Sequence, residues 1–136
     1  MGLLIHFAKR WVAGEYLEDA IIRTQSANSR GISGIINHVG EHYEDLERIT
    51  ASAEEYDRML DAIEQKHLDS AISVKPTQMG LMRDADTCIN ILRPLVKKAS
   101  DLGILVWIDM EGSQYTQEII DTVSYTHLTL PTTPYV

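Results

Sequence analysis

The sequence is poor in cysteine, in positive charge and in long apolar runs. Cys88 is the one cysteine among 136 residues. A single thiol excludes a disulfide framework and fits a reducing compartment, so a cytoplasmic location is expected. Lysine and arginine number 12 against 20 aspartates and glutamates, a net charge of −8. With no basic stripe, that balance speaks against a nucleic-acid partner. No apolar run reaches the ~18–20 residues that span a bilayer. Residues 1–10 carry Lys9 and Arg10 after their apolar residues and have no small-residue cleavage site, so no signal peptide is read there. The last stretch lacks charge altogether. Thr122 to Val136 contains no Asp, Glu, Lys or Arg, while five of these 15 residues are threonine and two are proline. The helical pattern before it stops near Val123 without a cap. The expected division is a domain over residues 1–123 and a non-native or disordered tail over 124–136.

What is present reads as one soluble α/β domain. The composition, 44% hydrophobic and 24% charged, is ordinary for a globular core. A mixed apolar helix is expected over residues 3–12. A second helix follows over 15–29, with Leu17, Ala20, Ile21 and Thr24 on one stripe and Gly31 placed to end it. A short branched strand spans 32–37. Ser52-x-x-Glu55 has the spacing of a capping box and predicts a helix over 53–67. Tyr56, Met59, Leu60 and Ile63 form its apolar stripe, with His67 as a half-buried end. Strand 71–75 comes next, then a helix over 84–101 with Pro94 predicted to kink it. Cys88 lies on that helix's apolar stripe, which favours a buried structural thiol over a reactive one. Ile104 to Asp109 is an unbroken apolar strand of the parallel-sheet kind. A further helix starts near Ser113. The strand–helix–strand order and the long crossovers predict parallel pairing.

Each predicted strand ends in a polar residue: Asn37, Lys75 and Asp109. Pro76 stops the middle strand because it has no N–H for a sheet ladder. A lysine is thus left at the C-terminal tip of a buried strand, where parallel α/β folds bind ligands. By alternation, Ile35, Ser73 and Trp107 lie below the tips on their face, and Ile36, Val74 and Ile108 face the helices. The plain alternative is a solvated charge capping a strand. His38-x-x-Glu41-His42 has the spacing of one zinc-protease motif. It begins at the end of a strand, and Gly40 disfavours the helix that would put both histidines on one face. A loop is expected there, and no metal.

Four blocks carry a family resemblance: Lys9-Arg10-Trp11-Val12-Ala13-Gly14, Asn37-His38-Val39-Gly40-Glu41, Ser73 to Leu81, and Ile108-Asp109-Met110-Glu111-Gly112-Ser113-Gln114-Tyr115-Thr116. In order and spacing they resemble proline dehydrogenase, over roughly residues 7–121. The resemblance implies a partial (β/α)8 TIM-like barrel of about three strand–helix units behind N-terminal helices. A complete barrel takes about 250 residues. It also implies FAD as cofactor and oxidation of L-proline to 1-pyrroline-5-carboxylate. Electrons would pass to a quinone, with at most peripheral contact at the inner membrane.

Residue by residue, the resemblance assigns Lys75 to the proline carboxylate and Asp109 to the active site. It assigns Glu41 to a gate that pairs with a late arginine. Asn37, where the family usually has aspartate, and Asp109 fall at the cofactor. The chain is expected to be a truncated reading frame that does not catalyse on its own. The competing expectation is a small non-catalytic α/β binding module.

Overall fold

The computed structural model describes residues 12–127. The helix expected over 3–12 lies almost wholly outside the described residues, as does the tail from residue 128.

The first helix, α1 (Leu17–Asn28), opens with its own Asp19 folded back over the chain. Asp19 Oδ2 accepts from the backbone N–H groups of Glu15 and Tyr16 at 3.2 and 3.3 Å. It ends near Gly31, whose φ of +74° suits glycine. Asn28 joins this end to the sheet. Its Nδ2 donates to the carbonyls of Ile32 and Asp69, and its Oδ1 accepts from Asp69 N.

Strand β1 (Gly34–Ile36) follows, then α2 (Leu46–Gln65), β2 (Ser70–Val74), a 3-10 turn over Pro76–Gln78, and α3 (Ala85–Asp101). After these come β3 (Val106–Ile108), a second 3-10 turn over Ser113–Tyr115, and α4 (Thr116–His127). The sheet order is β1-β2-β3, and both pairings are parallel, as the crossovers predicted.

Three expectations shift. Helix α2 begins well before Ser52. Its N-cap is Asp45, whose side chain accepts from Glu47 N at 2.9 Å. Ser52 is instead buried inside the helix and points at His38. His67 is exposed and sits just past the helix end at φ +51°, so it is a left-handed stop and not a half-buried residue. The Leu68 N–H closes that turn on Ile63 O at 2.9 Å. Finally, α4 runs to His127, beyond the boundary expected at Val123. Helix α3 continues through Pro94.

The helices cover one face of the sheet. Ile36, Ile72 and Val74 are buried against them, with Ile108 partly so. Tyr56, Leu60 and Ile63 from α2 and Cys88, Leu92 and Leu95 from α3 complete the core. Each fully buried aliphatic side chain contributes about 1.5–3 kcal/mol. The other face is open: Ile35 is 59% exposed, Leu105 59% and Trp107 52%. The alternation read from the sequence therefore holds on both faces.

Candidate functional site at the strand tips

The C-terminal ends of the three strands come together at one rim. The register pairs Ile36 with Ile72 and Val74 with Ile108. Continued by one residue, it sets Lys75 beside Asp109, and Asp109 N donates to Val74 O at 2.9 Å. Asn37 falls beside Ser73, one side-chain layer lower than Lys75. It is exposed, as is Asp109.

Glu41 stands on the loop between β1 and α2. Its Oε2 accepts from Lys75 Nζ at 2.7 Å. The hydrogen bond from Lys75, then its charge, hold the Glu41 carboxyl below its ordinary range. Reciprocally, the bond to Glu41 raises Lys75 against the opposing effect of burial, with Asp109 and Glu111 adding negative charge nearby. Lys75 is thus a cation paired with Glu41 in the field of two further carboxylates, its side chain 28% exposed. Such a group binds a carboxylate by charge-assisted hydrogen bonds once Glu41 yields or shares it.

The loop carrying Glu41 is held from below. His42 N donates to Thr77 Oγ1 at 3.1 Å and Tyr43 N to Thr77 O at 3.0 Å. His42 takes φ +57° there, and its ring leans on Tyr115, 5.5 Å between centroids. Gly40 is needed for space: a Cβ would come 2.1 Å from Tyr43 OH and 2.7 Å from Gln78 Nε2. The segment over 38–42 is not helical. His38 and His42 therefore do not share a helix face with Glu41, as the zinc spacing would require. His38 Nδ1 lies 3.4 Å from Ser52 Oγ and 3.3 Å from Gln78 Nε2.

A buried polar network underlies the rim. Tyr56 is fully buried on α2, and its hydroxyl donates to Ser73 O at 2.8 Å and accepts from His38 N at 3.2 Å. Burial pushes its phenol up to about 12. Gln78, also buried, donates to His38 O at 3.2 Å. Opposite, Glu111 accepts from Thr77 N at 2.9 Å and from Thr77 Oγ1 at 2.5 Å. Sequence reasoning gave Glu111, Thr77 and Gln78 no role of their own and placed Tyr56 only on an apolar stripe. The available signals were a second carboxylate two places past a strand tip, and a tyrosine on an apolar stripe whose hydroxyl requires a partner.

The sequence pattern of the family described as "Proline dehydrogenase" matches residues 20–131. The chain belongs to the proline dehydrogenase family. The match reaches past the boundary expected at residue 123. The chain is 32% identical over 113 residues to "Proline dehydrogenase 1" of Bacillus subtilis subsp. natto, covering 82% of this chain and 37% of that protein. It is 28% identical over 109 residues to "Proline dehydrogenase" of Deinococcus radiodurans, covering 78% and 35%. The chain thus spans about a third of the length of these relatives. Among solved structures it resembles proline utilization A from Bdellovibrio bacteriovorus, inactivated by N-propargylglycine. The TM-score is 0.80 at 16% identity, over 90% of this chain and 15% of that one. That likeness concerns the fold alone, and the three parallel strands with their helices are consistent with part of a barrel. Among the described residues, no helix is long and apolar enough to cross a membrane.

Proposed function

We propose that the strand-tip rim is part of the site at which a flavin-dependent proline dehydrogenase oxidises L-proline to 1-pyrroline-5-carboxylate. The observation that carries this reading is the meeting of Lys75, Glu41 and Asp109 at the C-terminal end of a parallel sheet, in a chain of this family. Lys75 offers its ammonium to the substrate carboxylate. Glu41 is the carboxylate that must share or release Lys75 as proline enters. Asp109, beside Lys75 just past the end of β3, contributes negative charge suited to the substrate's ammonium group.

The open face of the sheet fits a flavin. Ile35 and Trp107 give it an exposed apolar surface, and Asn37 adds an amide that both donates and accepts. Asn37 and Asp109 would hold FAD there, and the bound flavin supplies a two-electron acceptor. A quinone is the proposed final acceptor, reached by peripheral contact of a cytoplasmic protein with the inner membrane.

We also propose that the 136-residue chain alone neither retains FAD nor oxidises proline. Among the described residues, the cation at the rim is Lys75, already held by Glu41, and one part-exposed ion pair is worth only about 0–1 kcal/mol. The test is a chimera in which this chain replaces the matching segment of the Bacillus relative. Flavin absorbance in the purified protein and proline-dependent dye reduction support the reading. A chimera that folds and holds flavin but is inert to proline removes it.

A further inference from the structure

The Thr77 hydroxyl sits between two groups that each fix its orientation. Thr77 is fully buried in the 3-10 turn that follows Lys75. As a carboxylate, Glu111 can only accept, so the Thr77 O–H donates to it. The hydroxyl oxygen then has its lone pairs free, and His42 N–H donates to one of them. His42 adjoins Glu41, and Glu41 holds Lys75. A series of contacts therefore runs from the loop after β3 to the loop after β1: Glu111 holds Thr77, Thr77 holds the His42 N–H, and His42 is the chain neighbour of Glu41, which holds Lys75.

We propose that Glu111 is a positioning residue that keeps the Lys75–Glu41 pair in register by fixing the Thr77 hydroxyl as a donor. It acts through Thr77 and not by touching substrate. The Thr77 N–H on the same carboxylate holds the turn against the loop after β3. The backbone bond from Tyr43 N to Thr77 O holds the loop on the other side. With Glu111 in place, the left-handed backbone at His42 has its N–H satisfied.

Glu111→Gln separates polarity from packing. The glutamine amide has nearly the same shape. If its oxygen accepts from Thr77 N, its nitrogen faces Thr77 Oγ1 and donates where a carboxylate accepted. The hydroxyl proton then loses its acceptor, and the oxygen is claimed by two donors. A purely space-filling Glu111 would tolerate the change.

The inference deepens the proline reading of this rim, but its test contains neither proline nor flavin, so the two fail separately. The full 136-residue chain is treated with a water-soluble succinimidyl acetate, and acetylation of Lys75 is measured by peptide mass spectrometry. Lys98, which is bound by Asp57 and Asp61 between α2 and α3, is the internal reference. Glu111→Gln is expected to raise the Lys75 rate relative to Lys98 by about two- to fivefold, the range for loss of a part-exposed ion pair. Thr77→Val, which keeps the bulk and loses the hydroxyl, should give the same rise. The double variant should add nothing, because both changes break one series of contacts. Thr77→Ser should behave as the parent. An unchanged Lys75 ratio in a folded Glu111→Gln variant overturns the proposal, as does a multiplicative double variant, or a parental ratio in Thr77→Val beside a raised one in Glu111→Gln, which would mean that the Glu111 charge acts on Lys75 directly. Should Glu111→Gln not fold, a parental ratio in Thr77→Val overturns it.

Discussion

The Lys75 ammonium lies 2.7 Å from Glu41, across 34 positions of sequence, and ties the tip of β2 to the loop after β1. Both groups shift in the direction that favours the charged pair. The pair therefore has two limits in pH. Glu41 has its carboxyl lowered in the folded chain, so its contribution is present above the ordinary value of 4.5 and is lost as pH falls through the lowered one. Lys75 is raised, so its contribution is present below 10.5 and is lost as pH rises through the raised value. Lys75→Met is therefore expected to lower stability between these limits and to leave it unchanged beyond them, where the parent has already lost the pair. Urea unfolding from acid to alkaline pH measures this, and a difference that persists only at the two extremes contradicts it.

Tyr56→Phe removes a buried hydroxyl that bridges Ser73 O and His38 N. The expected loss is about 1–3 kcal/mol, because two backbone groups are left without this partner. Denaturant midpoints at constant m-value check it. A neutral Tyr56→Phe would show that the network beneath the rim contributes no stability.

Gly40→Ala places a methyl group against Tyr43 OH and the buried Gln78 amide. Gln78 is held by His38, so it has little room to move. A loss of about 1–3 kcal/mol is expected, the usual range for overpacking. The amide resonances of His42 and Thr77 should shift more than those of α3. Unperturbed loop resonances would mean that the space at Gly40 is not needed.

Cys88 is buried, its Sγ 3.7 Å from Pro76 O, and burial pushes the thiol up to about 12. At neutral pH it should react with a maleimide or aromatic disulfide only after unfolding. Fast labelling of the folded chain would contradict the packing of α3 on the turn after β2.

How much of this was legible depended on whether a signal was local. Lys75 at a strand tip followed from a branched run and Pro76, and the parallel sheet followed from the crossover lengths. The two faces of the sheet followed from alternation, as exposed Ile35 and Trp107 and buried Ile36 and Val74 confirm. The start of α2 was misread because Ser52-x-x-Glu55 fits a cap in spacing alone. Ile49, fully buried on the same stripe as Tyr56, was the sign that the helix began earlier. The pairing of Lys75 with Glu41 and the grip of Glu111 on Thr77 each cross a whole strand–helix unit. No local spacing encodes them; the register of the sheet creates them.

The proposed role of Lys75 is to receive the carboxylate of proline. The most direct measurement is steady-state proline oxidation, with a dye acceptor, by the flavin-holding chimera and its Lys75→Ala variant. The variant's KM for proline should rise by about ten- to a hundredfold, the worth of a charge-assisted hydrogen bond. Lys75→Arg should recover only part of it, since the two cations differ in shape and reach. Parental KM and kcat in a flavin-loaded Lys75→Ala variant would contradict the claim.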